Sequence, residues 1–189
     1  MAMPPTGQAE HATPPKRGSQ GRPYREFAHR MLQSTRGPGL RVLGIKTARS
    51  EVDWVVLEGP DRQAAAVVDA GRSRTPAGHE RPDELAWIRR EVIGLLDKHA
   101  PDEVAVMTTE PGGKSVSVHR AEVDGVVQEA CASAQRSVRR FVAASVRSSF
   151  KVRRRADLDE ALESVTALNG VAKSRQPPVV AALCAMPTL

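Results

Sequence analysis

Eight basic residues crowd one stretch of this 189-residue chain with no acid among them: Arg136, Arg139, Arg140, Arg147, Lys151, Arg153, Arg154 and Arg155. Cations at that density focus positive potential and suit contact with phosphate backbones, each contact being screened by salt. A second candidate is the run Thr108-Thr109-Glu110-Pro111-Gly112-Gly113-Lys114-Ser115, which follows an apolar run and precedes a helix in the manner of a phosphate cradle. It has Thr108 where that cradle needs glycine, and no later apolar strand ends in the aspartate that would hold magnesium, so nucleotide hydrolysis is not expected. Asp53, Asp69, Glu110, Glu122 and Asp124 are the acids from which a metal site could be built. Glu122 and Asp124, two apart on a helix, face different ways. The five histidines are scattered, none at ligand spacing from a cysteine or another histidine, which argues against zinc. Cys131 and Cys184 fall on apolar helix faces and are expected in the core, with Trp54 and Trp87 as core anchors.

These groups sit in a chain of ordinary globular composition, 40% hydrophobic and 26% charged. Two cysteines cannot make a disulfide framework, and no apolar run approaches the roughly 18 residues of a membrane span. The Pro-rich N-terminus has no apolar segment of the secretory kind, so a cytoplasmic address is expected and a membrane partner is not. The net charge of +6 is unevenly spread: residues 1–39 carry +4, residues 40–135 carry −4, residues 136–156 carry +8 and the remainder −2. Arginine outnumbers lysine 22 to 6 and alanine is abundant, a composition that GC-rich coding also produces. That keeps open a second reading, in which the arginines serve no ligand and the domain is a protein-interaction subunit.

Residues 1–39 read as a disordered basic leader rich in Pro and Gly, and residues 40–189 as one folded domain. Short apolar runs at Leu40 to Lys46 and Val52 to Leu57, parted by the turn-prone Thr47-Ala48-Arg49-Ser50, predict a hairpin. Gly59-Pro60-Asp61 predicts a second turn, and Ala64 to Asp69 a third strand. Pro82-Asp83-Glu84 opens a helix whose apolar face is Leu85, Ile88, Val92, Leu95 and Leu96. A buried strand is expected at Glu103 to Met107, a helix from Val116 to Ala132 and a fifth strand from Val138 to Ala143. Helices follow at Val146 to Val152, Asp157 to Leu168 and Val179 to Met186. Three meandering strands followed by alternating helices imply an α/β fold with a mixed five-stranded sheet and helices on both faces.

That order, and the residues along it, resemble the RNase H-like superfamily and its RuvC-type Holliday-junction resolvase branch. Leu43-Gly44-Ile45 is similar to the end of the family's first strand. Glu84 to Ile88, then Leu95-Leu96, then Ala100 to Val106 resemble its first helix running into the fourth strand. Val146 to Phe150 falls where the family has a short basic helix, and Ala181 to Ala185 resembles its final helix. The resemblance covers about residues 40–187 and implies a metal-dependent nuclease with four carboxylates at the ends of strands one and four and in the last helix. Here those positions are Lys46, Met107 and sites near Pro178 and Ala181. An ammonium, a thioether, an imide and a methyl do not supply the oxygen ligands a hard cation wants. A small uncharacterised group of RNase H-like proteins that lack the acids is similar in this respect, and its Gly-Gly loop is matched by Gly112-Gly113.

The resemblance therefore implies a domain without catalysis or cofactor that acts as a nucleic-acid-binding or assembly module. Lys46 and the basic residues at 136 to 155 would hold a DNA or RNA backbone together. The plainer alternative makes Lys46 a solvated strand-end lysine paired with Glu110 or Asp53. A third reading keeps a nuclease whose acids, Glu110 among them, have moved. A protein partner and a homodimer both stay open.

Overall fold

A computed structural model of the chain describes residues 39–108 and 117–188. The leader, apart from Gly39, lies outside the described residues, as do Thr109 to Val116, and with them Glu110, Gly112-Gly113 and Lys114. Among the described residues five strands form one sheet: β1 (Leu40–Thr47), β2 (Glu51–Gly59), β3 (Ala66–Arg74), β4 (Glu103–Met107) and β5 (Ser137–Phe141), in the order β3-β2-β1-β4-β5. The first three pair antiparallel; β4 and β5 run parallel to β1. The helices are α1 (Arg81–His99), α2 (Val118–Ser133), α3 (Ala143–Ser149), α4 (Arg155–Glu163) and α5 (Gln176–Ala185).

Alternation along each strand sends neighbouring side chains to opposite faces, and both faces are apolar at the sheet centre. Leu43, Ile45, Val52, Val56, Val104 and Val106 meet Ile88, Val92 and Leu96 of α1 and Val123, Val127 and Cys131 of α2. Val42, Val55, Leu57, Ala105 and Phe141 meet Val146 of α3 and the almost wholly buried α5. Both cysteines are buried, and both tryptophans are half-buried. The mixed sheet with helices on both faces is the one the hydrophobic pattern predicts.

One contact sets the position of α5. Gly44 turns toward that helix, and a Cβ built on it would lie 2.0 Å from the Pro178 carbonyl oxygen and 2.9 Å from the Ala182 Cβ. Backbone touches backbone there, which only glycine allows. The first turn of α5 is thereby pressed against β1 two residues before Lys46.

Boundaries differ where polar residues carry the structure. β3 extends to Arg74, five residues beyond the expected end at Asp69, because Arg72 pairs with Asp53 at 2.5 Å and Arg74 with Glu51 at 2.8 Å across to β2. A register shift opposite Val56/Leu57 leaves Val68 bulged on this edge strand, and the Ala70 N–H donates to Asp69 Oδ1 at 2.9 Å rather than to another strand. The short helix after β5 begins at Ala143, three residues earlier than expected, since Ser145 Oγ accepts the Val142 N–H. It stops before Lys151, whose φ of 57° is left-handed. The helix expected to run to Leu168 ends at Glu163, and a separate turn of 3₁₀ helix covers Thr166–Leu168. In α5, Pro177 and Pro178 stand inside the first turn rather than ahead of it, where their missing N–H groups cost nothing.

Candidate nucleic-acid interface

The carboxyl ends of β1 and β4 lie side by side, with Lys46 in register with Met107. Lys46 is two residues beyond Gly44 and four beyond Val42, so it belongs to the same α5 face; Met107 packs against the same core. Across β2 its register partner is Asp53. That acid is 5% exposed and bound by Arg72 through both carboxylate oxygens, at 2.5 and 3.2 Å. The pairing of Lys46 with Asp53 is thus replaced by Arg72–Asp53, a bidentate geometry that ammonium cannot match. Among the described residues Lys46 enters no ion pair.

Beneath the same ends, on the α1/α2 face, Thr47 donates its hydroxyl to Asp124 Oδ1. Arg120 reaches from α2 to the Met107 carbonyl at 3.1 Å. Burial pushes the Asp124 carboxyl above the usual aspartate range, opposed by the Thr47 hydroxyl and by the charges of Arg120 and Arg140. Of the other acids weighed for a metal site, Glu110 lies outside the described residues, and Asp69 and Glu122 are each engaged by a base. Asp69 binds Lys98 at 2.9 Å, and Glu122 binds Arg81 at 2.8 Å. Among the described residues no group of three or more His, Cys, Asp and Glu is placed to hold a metal ion.

The basic stretch does not form one patch. Arg139 and Arg140 are adjacent on β5 and turn to opposite faces. Arg139 bonds the Ala185 carbonyl of α5 at 3.1 Å and approaches Glu103 at 3.4 Å, while the charge of Arg140 acts on Asp124 beneath. Arg136 is half-buried in the turn between α2 and β5. Arg147, Lys151, Arg153, Arg154 and Arg155 follow on α3 and the turn into α4, the layer to which α5 belongs. Of these, Arg154 is tied to Asp157 at 2.7 Å, as a cap of α4. Lys46 thus shares a side of the sheet with the Arg147 to Arg155 segment, whereas Arg136 and Arg140 are separated from it. The stretch reads as continuous because strand alternation is invisible in a charge count.

Composition gave no sign of Arg62, Thr47 or Arg120. A cue for Arg62 existed in Asp61, whose Oδ1 accepts the N–H groups of Gln63 and Ala64 at 2.7 and 3.0 Å and shapes the turn that aims Arg62 inward.

At the far end of α1, His99 is buried, and its Nε2 has no hydrogen-bond partner among the described residues. Asp69 Oδ2 lies 3.5 Å away, the Trp54 ring is 5.5 Å off, and Lys98 and Arg41 add like charge. Burial lowers the imidazole pKa below its ordinary 6.5, Lys98 and Arg41 lower it further, and Asp69 opposes them. The folded protein therefore takes up this proton at lower pH than the unfolded chain does. The contribution of His99 is fully present above pH 6.5 and is lost as pH falls from there through the folded value. Urea unfolding at a series of pH values between 7.5 and 5 should show stability declining in that window, with a shallower decline in His99→Leu.

A five-stranded mixed sheet in this order, flanked by helices on both faces, is the RNase H-like fold. The sequence is similar to that of RuvC proteins. It is 26% identical over 140 residues to the crossover junction endodeoxyribonuclease RuvC of Corynebacterium efficiens, covering 74% of this chain and 63% of that protein. Against RuvC of Saccharopolyspora erythraea it is 27% identical over 140 residues, covering 73% and 70%. The structure of Thermus thermophilus RuvC matches with a TM-score of 0.64 at 16% identity, over 77% of this chain and 92% of that one. The same bacterial protein in complex with Holliday junction substrate matches with a TM-score of 0.64 at 14% identity, over 77% and 92%. The yeast mitochondrial Holliday junction resolvase Ydc2 matches with a TM-score of 0.54 at 12% identity, over 84% and 83%. No protein-family model matches the chain. The chain thus spans less than two thirds of the Corynebacterium relative it matches, and among the described residues no helix is long and apolar enough to cross a membrane.

Proposed function

We propose that this RuvC-like domain binds the phosphate backbone of DNA, branched DNA foremost, and holds it without metal-dependent cleavage. The observation that carries the reading is Lys46. It stands at the end of β1, on the α5 face, with no carboxylate paired to it among the described residues and with Met107 as its neighbour on β4. The residues at the positions where the resemblance puts metal ligands do not fit a divalent cation. Lys46 is itself a cation, Met107 offers sulfur, and Pro178 and Ala181 have no donor in their side chains. A fixed ammonium there can contact a phosphate oxygen directly but cannot generate hydroxide.

That the similar proteins are crossover junction endodeoxyribonucleases, and that Thermus RuvC is seen bound to a Holliday junction, supports nucleic acid as the ligand class. The segment Arg147 to Arg155, on the same side of the sheet as Lys46, supplies further charge for the backbone. A soluble, intracellular protein fits this reading. The domain would comprise residues 40–189, with 1–39 as a basic leader.

Fluorescence anisotropy with an immobile four-way DNA junction and a matched duplex tests this directly. Binding should be tighter than about 100 μM at moderate salt and weaken steeply as salt rises. Lys46→Ala should lower affinity several-fold and reduce the log–log salt slope by about 0.9, one phosphate contact. No junction cutting should appear with Mg²⁺ or Mn²⁺. Absence of salt-sensitive binding would leave the protein-interaction reading, and cutting abolished by Glu110→Gln would establish a relocated nuclease centre.

A further inference from the structure

Arg62 carries a positive charge into the interior with no counter-ion among the described residues. The residue is 6% exposed, and among the described residues no carboxylate pairs with it. Its partners are all neutral. Nε donates to the Leu183 carbonyl at 2.9 Å, Nη1 to the Ser149 carbonyl at 3.0 Å and Nη2 to Ser149 Oγ at 2.7 Å. The guanidinium lies over the Phe150 ring, 4.4 Å from its centroid. The backbone N–H of Arg62 adds a bond to the Pro187 carbonyl at 2.9 Å. A buried, unpaired charge is costly, and hydrophobic contacts alone could have closed this corner of the core.

What the arrangement achieves is local. The Ser149 carbonyl is one of the unpaired acceptors at the end of α3, and a cation there also opposes the helix dipole. Immediately beyond it the chain turns through Lys151 in the left-handed region, with the Lys151 and Val152 N–H groups returning to the Ser148 and Arg147 carbonyls. Arg147, Lys151 and Arg153 all hang from this turn. Arg62 in turn is aimed by the turn that Asp61 caps, and its other bonds reach the end of α5 and the residue two beyond it.

We infer that Arg62 is a positioning residue: through Ser149 and Phe150 it fixes the α3 terminus so that Arg147, Lys151 and Arg153 meet a nucleic-acid backbone as a preset group. This rests on the DNA-binding reading above and adds to it. Arg62 touches no phosphate; it reduces the ordering that binding would otherwise require. Its loss lowers affinity without removing a charge from the interface.

Two measurements on the full chain test this. Arg62→Met keeps much of the side-chain volume and removes the guanidinium. Hydrogen exchange should show the amides of Val146 to Val152 losing about tenfold protection or more, while those of β1 and β4 stay close to wild type. Affinity for the four-way junction should fall about five- to tenfold, with the log–log salt slope unchanged. Should Arg62→Met not fold, Ser149→Ala, which removes one acceptor, carries the same test with a loss of about two- to threefold. Unchanged protection at Val146 to Val152, or unchanged junction affinity in a wild type that does bind, overturns this inference alone. A slope reduced by about 0.9 also overturns it, since Arg62 would then be a phosphate contact. A wild type that binds no DNA overturns the reading it rests on, and the inference with it.

Discussion

Gly44→Ala should be the most damaging single methyl group in the domain. Alanine elsewhere in a strand removes backbone freedom from the unfolded chain and helps slightly. At Gly44 the added carbon would fall 2.0 Å from the Pro178 carbonyl oxygen and 2.9 Å from its carbon, and backbone atoms at the foot of a helix cannot rotate away. Either α5 lifts off β1 or the strand bends, and α5 contributes eight buried residues to its side of the core. The expected loss is about 3 kcal/mol or more, at the upper end of overpacking costs. For a domain of this size that is a fall in Tm of roughly 6–12 °C by calorimetry. Gly94→Ala in α1 is the control, because open space surrounds that position. It should gain roughly 0.5–1 kcal/mol from helix propensity. A Gly44→Ala protein as stable as wild type would mean that α5 does not rest on β1 as described.

The second large effect concerns charge. Arg147, Lys151 and Arg153 project from the α3 turn without an acid bound to any of them among the described residues, unlike Arg154, which is committed to Asp157. Reversing all three to glutamate changes the local charge by six units on the side of the sheet that carries Lys46. Junction affinity should fall by about two orders of magnitude or more at low salt, and the log–log salt slope should shrink by about 2.7, three phosphate contacts. The same reversal at Arg136 and Arg140, which lie apart from that segment, should cost markedly less. Equal losses from both sets would indicate a diffuse attraction to net charge rather than a built surface, and competition by an unrelated polyanion would then match the junction.

The sheet was legible because its strands are short, apolar and punctuated by turn residues, so periodicity and breakers placed all five. Both core faces followed from alternation once α1 and α5 were recognised as apolar helices. What escaped was carried by polar groups acting at a distance along the chain. The extra length of β3 depends on Arg72 and Arg74 finding Asp53 and Glu51, pairs about twenty residues apart that no local window contains. The position of Lys46 on the α5 face could be read from its place in the strand, but its freedom from Asp53 could not, since that required knowing that Arg72 takes the acid. The basic stretch misled in the opposite direction. Charge counting made one stripe of residues that a strand sends to two faces. Arg62 escaped because Asp61 marks only a turn, and a lone arginine in a turn gives no hint that it will be buried.

Among the described residues no strand pairs with the outer side of β3, which bears on how molecules of this kind behave at high concentration. An uncovered strand invites a second molecule to zip onto it and start a fibril-like ladder. Here the Ala70 amide is already taken by its neighbour's carboxylate, and the bulge at Val68 throws the ladder out of step. A newcomer would have to break that internal bond and straighten the kink before gaining its own, so this edge is guarded against runaway stacking.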